Sequence, residues 1–456
     1  MKTSIILLTH NQIDYTKKCI ESIRNHTHLD YEIIVVDNGS EDKTVAYLSE
    51  QNDITVIENK ENEGFAKGNN QGVEKATGET ILFLNNDTVV TPGWLDSLIN
   101  TLYSSEKIGI VGPVSNNISG NQQISVTYNQ ETLEGLEDFA ADYVKEKSGE
   151  KNKVLRLVGF ALACKKEVLD AIGLFDESFG IGNFEDDDLC LRALREGYEL
   201  YIAKDSFVHH YGSVTFKNSP INFNQLLYTN QTKLYEKWGF KASYYMFPRP
   251  EVLNLVPTHT KRLLELGCGM GAMAINLKEK YNCEVIGIEI DSTVAEFAKH
   301  NLDTVYSADV EQFDLSKLGK FDCIVCADVL EHLRDPWKIV KELSALLNVG
   351  GQLVISLPNI ANIEIIKELL QADFSYRDAG LLDRTHLRFF TRKTMHTLFP
   401  ENLIITSLSG TTIGYSEADR LLAASIGPIG KAFGLDTDSF TTDAFIYQYL
   451  IVAEKV

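Results

Sequence analysis

The sequence predicts two α/β domains in series, and three observations carry that reading. Two separate sets of β-branched and aliphatic runs each lead through a glycine-bearing turn into a helical pattern, the alternation that builds sheets with helical crossovers. Between them, KASYYMFPRPEVLNLVPTHTK places Pro248, Pro250 and Pro257 within ten residues, which no continuous helix or central strand tolerates. The two halves share no motif, so neither repeats the other. We assign residues 1–245 to a first domain, 246–258 to a linker and 259–456 to a second domain.

In the first domain, apolar runs place strands at 4–8, 32–36, 54–58 and 81–84. Residues 115–153 form a polar, acidic insertion with a helix expected over 131–147, and an insertion among short connections usually covers or shapes a site. In the second domain, strands are expected at 262–265, 284–288, 323–327 and 352–356, with FIYQYLIVAEKV closing as an edge strand.

Bulk properties exclude several classes. A formal charge of -21 over 456 residues repels nucleic acid and anionic membrane surfaces at long range. No apolar stretch approaches the ~20 residues of a membrane span, which leaves only peripheral membrane contact open. The opening MKTSIILLTH reads as a first strand rather than a leader. Seven scattered Cys suit a reducing cytoplasm, where we expect the chain to work. Cys323 and Cys326 lie in the apolar run FDCIVCADV, and on a strand they face opposite ways, against a redox or zinc pair.

Four clusters in the first domain carry chemistry. Asp37 follows the strand EIIVV and starts DNGS, at a strand end where open α/β sheets bind ligands; an Asx turn would explain it equally. Asn85, Asn86 and Asp87 end the run ILFL, where Asp87 offers oxygen to a hard cation such as Mg2+ or Mn2+. Glu185, Asp186, Asp187 and Asp188 stand together before a helical pattern. The helix dipole accounts for some of that charge, whereas a base or cation site accounts for four together. His209 and His210 end another apolar run, a candidate metal or diphosphate contact.

The order of these motifs, with Thr9-His10-Asn11, VDNGSEDKT, ENEGFAKGNNQG, LNNDTVVTPGWL and LVGFALACKKEVLDAIGLFDESF, resembles the family 2 glycosyltransferases of the GT-A fold from Ser4 to about Phe216. The resemblance implies a nucleotide-sugar donor, UDP- or dTDP-linked, and a glycan or glycoprotein acceptor. Thr9, Asn11 and Asp37 would contact the base and ribose, with Asn62, Lys67 and Asn70 framing the nucleotide and Asn85 and Asn86 beside it. Asp87 takes the place of the last aspartate of the family's D-x-D and would bind the cation. Asn85 stands where many members carry Asp, which removes one negative charge from that site. Asp186 matches the catalytic base, with Glu185 beside it, and His210 would support the diphosphate. A one-residue slip would give that role to His209.

In the second domain, KRLLELGCGMGAMAINLKEKYNCEVIGIEID reads as strand, glycine loop, helix and strand. Gly267, Gly269 and Gly271 let backbone amides approach a ligand, and Glu289, ~20 residues on, can take ribose hydroxyls. A glycine loop alone would suit a dehydrogenase equally. With Glu265 opening ELGCG and CADVLEHLRDPWKIVKELSALLNVGGQLVIS downstream, the segment resembles the Rossmann-like class I methyltransferases from Arg262 to Val456. That resemblance implies S-adenosylmethionine as cofactor, Asp309 near the adenine, and methylation of a sugar product. His332 and His386 are the candidates for handling the acceptor's proton; for the cluster around His386, a salt-bridged helix start is the competing account.

Overall fold

In a computed structural model the chain is described over residues 1–212 and 222–456, so the end of the first resemblance, near Phe216, falls outside the described residues. The chain divides into two compact units, Met1–Phe247 and Pro248–Val456.

The first unit is built on β1 (Thr3–Thr9), β2 (Tyr31–Asn38), β3 (Ile54–Asn59), β4 (Thr80–Asn85), β5 (Thr88–Val90), β6 (Ile108–Val114), β7 (Lys151–Val154), β8 (Ala161–Lys165) and β9 (Glu199–His210). Their order is β3-β2-β1-β4-β8-β6-β9-β5, with β7 also along β9. β1 to β4 pair in parallel, and the cores of β1, β2 and β4 (IILL, IIVV, ILFL) are buried almost throughout, as expected of strands covered on both faces, whereas β3 lies at the sheet edge and is only partly covered. The registers bring Thr9 opposite Asp37 and Leu8 opposite Asn85, while β5 pairs antiparallel with β9 so that Thr88 faces His210. The motif residues are thereby gathered at one edge of the sheet, where strands end and loops begin.

The helix expected over 131–147 runs over Leu136–Glu146. Gly135, at φ 84°, starts it, and Asn129 accepts hydrogen bonds from the amides of Glu131 and Thr132 in a turn before it, the local competition with helix that Asn favours.

The second unit carries β10 (Arg262–Leu266), β11 (Glu284–Glu289), β12 (Thr304–Ser307), β13 (Phe321–Ala327), β14 (Leu347–Pro358), β15 (Leu403–Thr411) and β16 (Gln448–Lys455), ordered β12-β11-β10-β13-β14-β16-β15. β10 to β14 are parallel, and β16 runs antiparallel between β14 and β15. The closing strand is therefore interior and not the edge strand expected. Its buried run from Tyr449 to Ala453 shows why: burial on both faces belongs to a central strand. Cys323 packs with Leu263 and Val285 on one face, Cys326 with Leu264 and Ile286 on the other, and all seven cysteines are free.

Part of the segment expected as linker belongs to this second unit. Pro250 opens a short helix, Pro250–Leu253, at the position where its missing N–H costs nothing, and Val252 and Val256 are buried against Leu263 and Leu277.

Candidate functional site

At the end of β2, the Asp37 side chain is 1% exposed. One oxygen accepts the Ser40 amide at 2.9 Å, while Oδ1 is buried with no partner. A buried carboxylate oxygen left bare is costly, and a donor hydroxyl or base N–H would relieve it. Asn11, with φ 57°, laces the β1 and β2 loops together: its Oδ1 accepts the amides of Glu41 and Asp42, and its own amide donates to Ser40 Oγ.

The other expected donor residues separate into scaffold and surface. Thr9 and Asn86 are buried with Thr16, where Asn86 Nδ2 donates to both hydroxyls. Asn70 donates to the Phe175 carbonyl and Glu177, and accepts the Phe175 amide; its side-chain groups pin one loop. Asn62 Oδ1 accepts from Asn38 and the Gly64 amide, and Lys67 pairs with Glu63 at 2.6 Å. Asn85 is half-buried and its amide donates to the Phe160 carbonyl at 2.8 Å.

Asp87 and His210 meet across the β5/β9 pair, with Nε2 and Oδ1 3.3 Å apart. His210 Nδ1 lies 2.9 Å from the Asn117 carbonyl; an N–H there leaves Nε2 as the open nitrogen. Burial lowers the His210 pKa, but the Asp87 carboxylate and the Asn117 carbonyl outweigh it and leave it raised. His209 does not share this place, because consecutive strand residues point to opposite faces. Its Nδ1 meets Tyr128 Oη at 2.5 Å, and burial with the neighbouring His210 pushes its pKa down to about 4. Asp87 with the bare Nε2 of His210 fits a divalent cation shared with donor oxygens.

The helix Glu185–Arg195 begins after Asn183 and Phe184, both left-handed at φ 76° and 74°, an uncommon conformation for a bulky residue. Its four acidic residues are all buried and do four different things. Asp188 accepts from Arg192 at 2.8 Å and the Trp238 indole at 3.0 Å, a structural anchor. Asp187 pairs with Arg156; burial and the Asp186 charge nevertheless push its pKa up to about 6. Glu185 keeps Oε2 unpaired, and burial with the Asp186 and Asp187 charges lifts it well above the usual range. Asp186 accepts the Gly159 amide at 2.7 Å and the Asp187 amide at 2.9 Å, which fixes its orientation and leaves further lone pairs free.

Gly159 and Phe160 join these groups. Gly159 holds Asp186, the Phe160 carbonyl takes the Asn85 amide, and the Phe160 ring stacks on His210 with centroids 5.3 Å apart. Sequence reasoning did not single out Gly159, Arg156, Asn116 or Asn117. Asn116 braces His210 through both its backbone amide and carbonyl. The only signal was position: Asn116-Asn117 follow shortly after the apolar run IGIVGPV.

In the second unit, Gly267, Gly269 and Gly271 all have positive φ, which bends the loop after β10 back onto the end of β11, where the Gly267 and Cys268 amides donate to the Ile288 carbonyl. Glu289 accepts the Gly269 amide at 2.9 Å and the Asp291 amide at 3.0 Å. Burial raises its pKa, and these two hydrogen bonds oppose the rise. Glu265 has a buried, unpaired Oε2, and burial followed by Glu289 lifts it well above the usual range. The amides of Gly267, Cys268, Gly269 and Gly271 are taken within the protein, so the orphaned Glu265 oxygen is the group that fits an amino or hydroxyl donor of S-adenosylmethionine. Asp309 is half-buried and caps its own turn through the Glu311 amide and Gln312, while the preceding Ala308 amide donates to the Glu289 carbonyl.

His332 and His386 pack ring to ring, with centroids 4.8 Å apart. Burial and His332 lower the His386 pKa. Asp328, left-handed at φ 56°, ends β13 and is held by Arg249, Ser356 and Gln448. Arg249 was invisible as a site-supporting residue in a proline-rich stretch.

Residues 4–173 match the family described as Glycosyl transferase family 2, and residues 241–402 match one described as Methyltransferase domain. The chain is 26% identical over 208 residues to the glycosyltransferase AglE of Haloferax volcanii, covering 44% of this chain and 64% of that protein. It is 30% identical over 104 residues to the ubiquinone biosynthesis O-methyltransferase of Xanthomonas axonopodis pv. citri, covering 22% and 43%. The chain thus spans less than two thirds of either relative. Among solved structures, a mannosyltransferase of Pyrobaculum calidifontis in complex with GDP-Man and Mn2+ aligns with TM-score 0.37 and 20% identity, over 51% of this chain and 64% of that one. A SAM dependent methyltransferase from Archaeoglobus fulgidus aligns with TM-score 0.29 and 19% identity, over 43% and 86%. No helix among the described residues is long and apolar enough to cross a membrane.

Proposed function

Since the chain pairs a family 2 glycosyltransferase domain with a methyltransferase domain, we propose that it transfers a sugar from a nucleotide diphosphate donor to a hydroxyl with inversion, and methylates the sugar product. The observation that carries the first half is the Gly159–Phe160 hub, which ties Asp186, Asn85 and His210 into one constellation.

Asp37, through its bare Oδ1, would take the donor's base or ribose. Asp87 and His210 would hold a Mg2+ or Mn2+ ion, which when bound screens the charge that appears on the leaving diphosphate. Asp186 accepts the proton of the acceptor hydroxyl as that oxygen bonds to the anomeric carbon and the bond to the diphosphate breaks. A single displacement of this kind inverts the anomeric centre.

For methyl transfer, S-adenosylmethionine supplies an electrophilic methyl group; the loop of Gly267, Gly269 and Gly271, with Glu265 and Glu289, would hold it, and Asp309 would lie toward the adenine. His332 and His386 would meet the acceptor hydroxyl. A UDP- or dTDP-linked donor and a glycan or glycoprotein acceptor in the cytoplasm complete the proposal.

The test is a screen of nucleotide sugars for thermal shift and turnover, with Asp186→Asn binding the preferred donor but not transferring. Near-wild-type turnover in that variant sinks the base assignment. Calorimetry with S-adenosylmethionine tests the second half: binding that Glu289→Ala weakens supports it. No heat from the wild type would favour a second domain that only binds or dimerises.

A further inference from the structure

One cluster in the second unit is not accounted for by cofactor binding. Glu331, His332 and His386 each offer one ligand atom, and the three atoms lie within 4.8 Å of one another. Glu331 is 1% exposed, and both its carboxylate oxygens are buried with no hydrogen-bond partner. An ion pair or hydrogen bond normally satisfies such a group, because leaving it bare forfeits the hydration it had in the unfolded chain.

The surroundings are organised for coordination. His332 Nδ1 lies 3.2 Å from the Thr385 carbonyl, and His386 Nδ1 lies 3.2 Å from the Leu381 carbonyl. An N–H on each Nδ1 donates to its carbonyl and leaves Nε2 with a lone pair, the arrangement that orients metal-bound imidazoles. Asp383 accepts the amide and the hydroxyl of Thr385 and so fixes the residue that orients His332. The amides of Leu387 and Arg388 both donate to the backbone carbonyl of Glu331, which staples the loop bearing His386 onto the turn bearing Glu331 and His332.

We propose that Glu331, His332 and His386 form a divalent transition-metal site, with zinc the best-matched ion. Two imidazole nitrogens and one carboxylate oxygen are the donors of a three-ligand zinc centre with an open fourth position. Mg2+, which demands oxygen ligands, is disfavoured by the two nitrogens. Bonds of about 2.0 Å in a tetrahedron bring ligand atoms to about 3.3 Å, so binding would draw the three side chains together from their present spacing of up to 4.8 Å.

The metal's role deepens the methyl-transfer reading and rests on it, whereas the binding stands on the three side chains alone. The open position fits an acceptor hydroxyl. Its proton passes to solvent, its oxygen bonds to the methyl carbon, and the carbon–sulfur bond breaks with the pair staying on sulfur as S-adenosylhomocysteine leaves. The site lies near the cofactor loop: a Cβ on Gly267 would stand 2.7 Å from Val329, two residues before Glu331.

The experiment uses the full chain carrying Asp87→Asn and His210→Ala, which removes the first domain's cation site. After chelator treatment and dialysis against micromolar zinc, metal analysis should find about one zinc per chain. Adding His386→Ala should abolish that zinc, and the near-isosteric Glu331→Gln should weaken its affinity at least tenfold, with S-adenosylmethionine binding retained as the sign of an intact fold. No zinc on the parent chain, or undiminished zinc with His386→Ala, overturns the site. If His386→Ala fails to fold, cobalt loaded on the parent decides. Intense visible bands of a four-coordinate ion support the site, and the faint bands of six-coordinate cobalt overturn it. Zinc bound without any S-adenosylmethionine binding would instead sink the methyl-transfer reading and leave the metal site standing.

Discussion

Gly159→Ala isolates the placement of Asp186 from its chemistry. A Cβ at Gly159 would lie 3.1 Å from Asp186 Cβ and 3.3 Å from its Oδ2, closer than ordinary contact, so the carboxylate must give by a few tenths of an ångström. The 2.7 Å hydrogen bond from the Gly159 amide then lengthens. Losing a bond to a charged acceptor outright costs about 1.5–3 kcal/mol, and a partial loss of about 1.4 kcal/mol is tenfold in rate. We expect kcat to fall about tenfold, with donor KM unchanged because Asp186 meets the acceptor. The fold should lose no more than about 1 kcal/mol, or roughly 2–4 °C in Tm. The assay is release of nucleoside diphosphate at saturating donor and acceptor, with Asp186→Asn as the fully disabled reference. Wild-type kcat in Gly159→Ala, against a dead Asp186→Asn, would refute the claim that this amide places the base. A fall seen only in donor KM would move Asp186 out of the acceptor's reach.

Asp187 titrates in the folded state at about 6, above its ordinary value near 4. Its contribution to stability is therefore complete below pH 4 and lost as pH rises through about 6. Asp187→Asn should gain about 2–3 kcal/mol relative to wild type between pH 4 and pH 7 in denaturant titrations; a constant difference across that range would show that Asp187 does not carry this shift. His210→Ala should raise the Mn2+ concentration for half-maximal transfer at least tenfold, whereas His209→Ala should lower Tm and leave the Mn2+ requirement alone. Equal metal dependence in the two would undo the separation of the imidazoles. If the first domain's product feeds the second, a mixture of Asp186→Asn and Glu289→Ala chains should make methylated product with a lag that wild type lacks at submicromolar enzyme, since linked sites act at about millimolar effective concentration. No lag means that the intermediate exchanges freely or that the two reactions use unrelated acceptors.

The eight expected strands all form because each opens on a run of aliphatic or β-branched residues, a signal that needs no tertiary information; Ile54–Asn59, at the sheet edge, forms without a fully buried residue. The elements that were misread depend on what lies beside them. A closing run reading YLIVA is the same whether it ends the sheet or enters it, and only its pairing with both β14 and β15 makes it interior. The prolines around residue 250 correctly forbid a long helix, but they do not forbid the single turn in which Val252 finds a hydrophobic neighbour.

For the sites, residue type was legible and direction was not. Four acidic residues in a row announce a charged helix start, yet their division into an anchor, an ion pair, an unpaired acid and a positioned carboxylate follows from helical phase and from partners distant in sequence, Gly159, Arg156 and Trp238 among them. Asp186 and Asp188 are two positions apart on one helix, about 200° around its axis, so one meets the Gly159 amide and the other the Trp238 indole. The same logic resolves His209 and His210. As letters they are interchangeable, and a one-residue slip in alignment exchanges them. On a strand that slip is a change of face: one ring goes to Asp87 and the other to Tyr128. Glu331 was the least visible of all, since a single Glu in LEHL carries no signal until the fold buries it with both oxygens bare and places two imidazoles against it.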